Sequence, residues 1–235
     1  MKTDEIVVVI IAGGAGTRMR HLLGDTPKFL APITPELCFA DFVIDRLAEL
    51  GATRAHLCLG KGADAVLRWT RRRALPIPVT STLEPRPLGV IGAVRDALPA
   101  LPERFVMAYG DVWPPLPPAA LLRALDDRTC SAMAVSSKEV SAPLLPNVEV
   151  RAERIVRYTK DSDPAALTHL DAGMVGFTRE ALSLGADCRD EVQLFPRLAE
   201  AGRMAAVFSE HAPVQVGDQR GYEHARATLP VVTAR

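Results

Sequence analysis

The first regular feature of the chain is an unbroken apolar run at positions 6–11, IVVVII, made mostly of β-branched residues. Without alternation, such a run predicts a strand buried on both faces, as in a parallel sheet covered by helices. Comparable runs stand at 55–59 (AHLCL), 77–81 (IPVTS), 104–109 (RFVMAY) and 131–136 (SAMAVS). Between them the period changes to that of a helix. In 36–50, Leu37, Phe42, Val43, Leu47 and Leu50 gather near one face, and Gly51 supplies the stop. Residues 63–74, 89–98 and 118–127 also read as helices. Strand and helix in alternation predict a three-layer, Rossmann-like α/β fold: a mostly parallel sheet flanked by helices, with right-handed crossovers.

The spacing shortens after residue 140. Residues 147–160 read as two short strands about a turn near Ala152 and Glu153, and 172–177 as a further strand. A helix is predicted over 190–202 with Gly202 as its cap, then strands in MAAVFS and APVQV, then a closing helix over 220–229. These elements predict a small C-terminal β-containing lobe within a single domain, 1–235, whose two parts divide near residue 140. The stretch WPPLPPAA (113–120) reads as a rigid loop into a helix, not as a linker.

Composition narrows the functional classes. Apolar residues make up 48% of the 235, which excludes a disordered chain. Lys plus Arg and Asp plus Glu are both 28, so the formal net charge is zero. No global field draws the chain to nucleic acid or to an anionic membrane, and any anion site must be local. The basic run RWTRRRA (68–74) reads as a solvated helix face. Cys38, Cys58, Cys130 and Cys188 lie far apart with no C-x-x-C spacing, which argues against zinc and for small buried hydrophobes. With neither a signal-peptide pattern nor a membrane-length window, the expected location is the cytoplasm. Leu144 and Leu145 in APLLPN read first as core, and leave a homodimer open.

The candidate chemistry begins directly after the first strand, in IAGGAGTRMRHLLGDTPKFL (11–30). Glycine lets backbone N–H groups approach an anion closely. Two phosphate motifs are excluded. The P-loop needs Gly-Lys-Ser/Thr where this chain has Gly16-Thr17-Arg18, and the dinucleotide fingerprint needs a third glycine where Met19 stands. Arg18 offers a bidentate fork for phosphate oxygens, and Lys28, set by Pro27, offers a point charge. At 109–113, YGDVW puts Asp111 just past a predicted parallel strand, where open α/β sheets bind ligands.

IAGGAGTRM followed by TPKFLAPI resembles the LAGGxGTRL…PK signature of the sugar-1-phosphate nucleotidylyltransferase family. The resemblance extends over nearly the whole chain. It implies that Ala12, Gly13, Gly14, Gly16 and Thr17 hold a nucleoside triphosphate, that Arg18 binds its β and γ phosphates, and that Lys28 approaches the reacting phosphate. EPRPLGVIGAV (84–94) resembles the family's E-x-x-x-LGTAGA segment, which implies nucleotide contacts from Glu84 and Gly89; Val90 and Ile91 replace the usual Thr-Ala. Asp111 matches the aspartate that coordinates Mg²⁺. VRYTKDSD resembles V-x-x-x-EKP, so Lys160 matches the sugar-phosphate lysine, with Thr159 in place of glutamate and Asp161 in place of proline. LDAGMVGF resembles xNAGIYxF, which gives Asp171 and Gly173 sugar-phosphate roles; Asp171 replaces asparagine and accepts hydrogen bonds without donating. In VQVGDQRGYEHA the usual second metal aspartate falls on Gln215, and Asp218 is the other candidate.

The resemblance therefore implies a cytoplasmic, Mg²⁺-dependent nucleotidyltransferase. Residues 1–140 would bind the nucleotide and 141–235 the sugar phosphate. The partners are a nucleoside triphosphate and a sugar 1-phosphate, with GTP and a heptose (or related hexose) 1-phosphate as the expected pair. Uridylyl-, cytidylyl- or adenylyl-transfer on the same fold is the alternative. A nucleotide-sugar-binding regulator with weak turnover is a second one, motivated by Thr159 and Gln215. A glycosyltransferase is disfavoured, because Asp111-Val112-Trp113 is not D-x-D.

Overall fold

The computed structural model describes residues 5–14, 16–137, 139, 144–160 and 167–232, so Asp161 lies outside it. In chain order the elements begin with β1 (Val7–Ile11), the single-turn α1 (Arg20–Leu23), α2 (Phe39–Glu49), β2 (Arg54–Leu59), α3 (Ala63–Arg72), β3 (Val79–Leu83) and α4 (Val90–Ala97). Next come β4 (Arg104–Tyr109), α5 (Pro118–Arg123), β5 (Ser131–Ser137), β6 (Val148–Arg151), β7 (Arg154–Tyr158) and β8 (His169–Thr178). The chain closes with α6 (Arg179–Leu184), α7 (Glu191–Glu200), β9 (Met204–Ser209) and α8 (Gln219–Val232).

All nine of these strands form one sheet in the order β3-β2-β1-β4-β8-β5-β9-β7-β6. The β3-β2-β1-β4 half is parallel throughout. β8 runs antiparallel to both β4 and β5, β7 runs antiparallel to β9 and β6, and the other strands share one direction. The fold is thus α/β with a mostly parallel sheet, and β8 stitches the two parts of the chain into it.

The unbroken apolar run at the start becomes the central strand. Val7, Val8, Val9 and Ile10 are fully buried. Val8 and Ile10 pack with Phe39, Val43 and Leu47 of α2 and Leu229 of α8 on one face. Val7 and Val9 pack with Ile91 and Val94 of α4 and Leu194 and Phe195 of α7 on the other. Each such side chain contributes roughly 1.5–3 kcal/mol by leaving water. This two-sided burial makes three layers.

Several boundaries differ from expectation. The strand predicted at 77–81 is β3 at Val79–Leu83, an edge strand with three of its five residues exposed. The helix predicted over 118–127 ends at Arg123. α2 starts at Phe39, because Asp41 accepts the Cys38 N–H at 2.8 Å and caps the helix there. APVQV is not a strand: it makes one isolated bridge, Val112 to Gln215, and its valines are buried through that crossing. The turn between β6 and β7 falls where expected, with Ala152 at φ 44° and Glu153 at φ 59°, the paired left-handed residues of a two-residue hairpin. Leu145 is 65% exposed, so its reading as core is corrected.

Candidate active site

The loops that follow β1, β2 and β4 leave the sheet at one edge, where the strands' carboxyl ends lie. β8 runs the other way, so its opening residues reach the same edge: Met174 pairs with Ala108, and Asp171 and Gly173 extend past the end of β4.

Gly16 adopts φ 61° and starts the turn Thr17–Met19, whose Met19 is buried as an anchor. Thr17 and Arg18 are left exposed on that turn, and Ala12 is buried beneath it. Gly13 must be glycine for space. A Cβ there would lie 2.5 Å from Glu84 Oε1 and 3.1 Å from the Gly60 nitrogen. Glu84 is wedged against the loop, with its Oε2 accepting the Leu88 N–H at 2.9 Å. Gly89, at φ 81°, leaves no room for a side chain beside Arg189, and the N–H of Val90 is taken by Asp190 Oδ1 at 2.8 Å. Glu84 and Gly89 line the hollow under the glycine loop, and they also brace it. Lys61 and Arg86, which the motifs do not single out, line the same hollow.

Lys28 crosses from this loop to the centre. Pro27 and the buried Phe29 fix its turn. Its ammonium donates to Asp111 Oδ2 at 3.2 Å and to the Gly217 carbonyl at 3.1 Å. Asp111 is held in turn by its backbone, whose carbonyl accepts the Val216 N–H at 2.8 Å. A methyl placed on Gly217 would sit 3.6 Å from Gln215 Oε1 and 4.0 Å from Asp111 Oδ2, so both oxygens face one small space. Asp218 is engaged differently. Its Oδ1 accepts the Gly221 N–H at 2.8 Å as the cap of α8, so Gln215 is the candidate that stands beside Asp111.

A second hollow opens beyond Asp111, lined by Asn147, Lys160, Asp171, Gly173, Glu191 and Gln215 among others. Tyr109 and Asp111 line both this hollow and the one at the glycine loop, so the two are joined. Gly173 has φ 86° and would clash with Val112 if it carried a Cβ. Its N–H is accepted by Asp171 Oδ1 at 2.9 Å. Lys160 pairs with the buried Glu191 and lies 5.9 Å from the Tyr109 ring centre. The phenol hydroxyls of Tyr109 and Tyr158 are buried nearby and make no hydrogen bond of good geometry among the described residues.

Burial pushes the Asp171 carboxyl up to about 6; the Gly173 N–H and Lys160 pull it back, and Glu191 adds to the rise. A carboxyl raised in the folded state favours folding while protonated. Stability it contributes is lost as pH climbs from the unfolded value, near 4, through about 6. Asp171→Asn should therefore be neutral near pH 4 and stabilising above pH 6. We expect a gain of about 2–4 °C in Tm at pH 7.5, the shift of ~1 kcal/mol in a domain of this size. Thermal melts across that range check it, and a gain independent of pH would contradict the assigned cause.

Of the residues expected from sequence, the structure brings Gly13, Gly14, Gly16, Lys28 and Asp111 together around the glycine loop, and Lys160, Asp171 and Gly173 around the hollow beyond Asp111. Sequence reasoning missed Tyr109, Asn147 and Glu191. Glu191 shows in the sequence only as an acid in the first turn of a helix.

Fold and site together define a nucleotide-diphospho-sugar transferase type of α/β protein. The family model for the MobA-like NTP transferase domain matches residues 8–213, and the chain belongs to that family. The bifunctional protein GlmU of Acidithiobacillus ferrooxidans is 33% identical over 186 residues, covering 74% of this chain and 38% of that protein. The D-glycero-alpha-D-manno-heptose 1-phosphate guanylyltransferase of Campylobacter jejuni is 27% identical over 105 residues, 45% of this chain and 47% of that one. The chain thus spans well under half the length of the GlmU proteins it matches. The crystal structure of HddC from Yersinia pseudotuberculosis superposes with a TM-score of 0.80 at 20% identity, covering 94% of this chain and 98% of its own. The inositol-1-phosphate CTP transferase from T. maritima does so at 0.77 and 19%, covering 97% and 98%. At these identities the two structures show a shared fold.

Proposed function

We propose that the chain transfers a nucleotidyl group from a nucleoside triphosphate to the phosphate of a sugar 1-phosphate in the cytoplasm, releasing pyrophosphate. The observation that carries this is the junction at Asp111: a glycine-loop hollow and a Lys160 hollow meet there, with Lys28 between them. An oxygen of the acceptor phosphate attacks the α-phosphorus. The new O–P bond forms as the bond to the β-phosphate oxygen breaks. The attacking oxygen is already anionic, so no strong base is required, and the protein aligns and neutralises charge. Lys28 screens the α-phosphate, Arg18 meets the departing pyrophosphate, and Lys160 exchanges Glu191 for the acceptor phosphate.

Asp111 and Gln215 offer hard oxygen donors to one space. Among the described residues no group of three or more His, Cys, Asp or Glu forms a cage. That donor set fits Mg²⁺, which keeps several waters and takes its remaining ligands from substrate phosphates. Bound there, Mg²⁺ would supply charge neutralisation to the phosphates. A carboxylate is a better ligand than an amide, so Gln215→Asp should lower the Mg²⁺ concentration for half-maximal rate by about 10-fold. An unchanged Mg²⁺ titration would remove Gln215 from the site.

GTP with a heptose 1-phosphate is the leading pair, supported by the name of the C. jejuni relative and by an HddC structure complexed with GMP-PN, at a TM-score of 0.81. The test is a matrix of nucleoside triphosphates against sugar 1-phosphates, read by Mg²⁺-dependent pyrophosphate release. Turnover on one pair well above the rest supports the reading. A second reading, a regulator that binds nucleotide sugar without turnover, is favoured by the single carboxylate beside the Gln215 amide. Nucleotide-sugar binding with no pyrophosphate release on any pair selects it.

A further inference from the structure

The sheet ends differently on its two sides. On one side β6 turns back and pairs with β8, Val148 against His169. On the other, β3 pairs with β2 alone among the described strands. The register of that pair runs unbroken from Val79 against Ala55 to Leu83 against Leu59. The Pro78 carbonyl accepts the Ala55 N–H at 3.0 Å, and the Glu84 N–H donates to the Leu59 carbonyl at 2.8 Å. Backbone groups alternate sides along a strand, so Val79, Ser81 and Leu83 turn their N–H and carbonyl groups outward, away from β2. Exposed edges usually carry a charge, a proline or a bulge that blocks further pairing. Residues 79–83, VTSTL, carry none of these, and Leu83 is 61% exposed. The edge is also held in place from within. The Nδ1 and Nε2 of the buried His56 stand 2.8 and 3.3 Å from the hydroxyls of Thr80 and Thr82.

α3 connects β2 to β3 and supplies the charge beside this edge. Val79 packs on the same core face as Leu67 and Trp69 of α3, and Ser81 and Leu83 share that face by alternation. Trp69 Nε1 and Arg73 Nε both reach Asp41 of α2, at 2.9 and 2.7 Å. Arg71 follows Trp69 by about half a helical turn, so it faces away from α2, on the β3 side, with Arg68 next to it one turn back. Arg68 and Arg71 are exposed and, unlike Arg73, form no ion pair among the described residues. Asp64 is the one acid on the helix.

A free backbone edge takes an extended peptide, and the arginines select its charge. Self-pairing of β3 about Ser81 would set α3 beside its own copy on one face of the sheet, arginine against arginine, which disfavours a second copy of this chain. Nucleic acid offers phosphates to the arginines but no strand to the edge. We propose that β3 and α3 form a docking surface for an extended acidic segment of another polypeptide, which adds a strand at β3 and sets alternate carboxylates against Arg68 and Arg71. The proposal is independent of the nucleotidyltransferase reading.

Fluorescence anisotropy with the full chain tests it, using a labelled, end-blocked peptide that alternates glutamate and threonine and is about eight residues long. Saturable binding is expected. Arg68→Glu with Arg71→Glu should weaken it by about 10-fold or more. Ser81→Pro removes one outward N–H and leaves the ladder to β2 intact, and should weaken binding by about the same factor. Thermal melts check that both variants stay folded. If Ser81→Pro does not fold, the wild-type chain is titrated with the peptide N-methylated along its backbone, which keeps the charges and removes the ladder donors. A loss of about 10-fold then supports the proposal, and equal binding overturns it. Absence of saturable binding overturns it too. So does binding lost in the arginine variant but unchanged in Ser81→Pro, which would reduce the surface to an ion patch. Tighter binding of oligothymidine than of the peptide would replace the partner with nucleic acid. A dimer in sedimentation that Ser81→Pro abolishes would replace it with a second copy. Either result overturns the proposal.

Discussion

Asp111→Ala and Lys28→Ala should each lower kcat/KM for pyrophosphate release by about 10²–10³, a loss of roughly 3–4 kcal/mol in transition-state stabilisation. Lys28 Nζ reaches Asp111 Oδ2 and the Gly217 carbonyl together, so it ties the glycine loop to segments 83 and 189 residues further along the chain. Both side chains are mostly withdrawn from solvent, at 16% and 32% exposure, so their charges act through less screening than at the surface. Two further variants separate charge from scaffolding. Asp111→Asn keeps an oxygen that accepts from Lys28 but removes the carboxylate. If Asp111 works by its charge, this variant is nearly as slow as the alanine. If it only steers Lys28, activity largely survives. The double variant should be little worse than the slower single, because in the proposed mechanism the two groups act on one phosphate as a unit. In the Asp111 variants folding should be spared, since Lys28 retains the Gly217 carbonyl. Near wild-type rates in both single variants would move the catalytic centre away from Asp111.

The glycine-loop cluster was legible because its residues are local. Gly13, Gly14, Gly16, Arg18 and Lys28 fall within 16 residues, and a buried strand in front of them fixes the direction of exit. The central strands were legible for a related reason: fully buried β-branched runs have few other uses. β3 was misplaced by two residues because an edge strand carries threonine and serine on its open face and reads weakly. Apolar runs carry no direction, so the antiparallel entry of β8 between β4 and β5 was not readable. APVQV alternates like a strand, but its valines are buried by a single crossing with Val112. The hollow beyond Asp111 was legible only where a motif named its residues. Glu191 approaches Lys160 across 31 residues of sequence, and Asn147 approaches Asp171 across 24. Nothing in either local pattern distinguishes them from a helix-start acid and a loop amide.

Gly110→Ala tests the joint between fold and chemistry. A Cβ at this position would stand 2.6 Å from the Ile11 carbonyl oxygen and 3.3 Å from the Ala12 Cα. Both are backbone atoms of β1 and the start of the glycine loop, so no side-chain rotation relieves the clash. The Gly110 N–H also donates to that same Ile11 carbonyl at 3.0 Å, which holds the end of β4 against β1. An added methyl must push the two strand ends apart, and Asp111 is the next residue. Overpacking of this kind destabilises by about 1–3 kcal/mol, which chemical denaturation reads directly. Catalysis should suffer more than stability. A displacement near 1 Å of an aligning group costs roughly 10²-fold in rate. The expected signature is a folded protein with kcat down by about that factor and nucleotide affinity down much less, because most of the glycine-loop N–H groups stay in place. A variant that folds with wild-type kcat would show that the β1–β4 contact tolerates widening. Asp111 would then be positioned by its link to Val216 and by Lys28, not by the strand that delivers it.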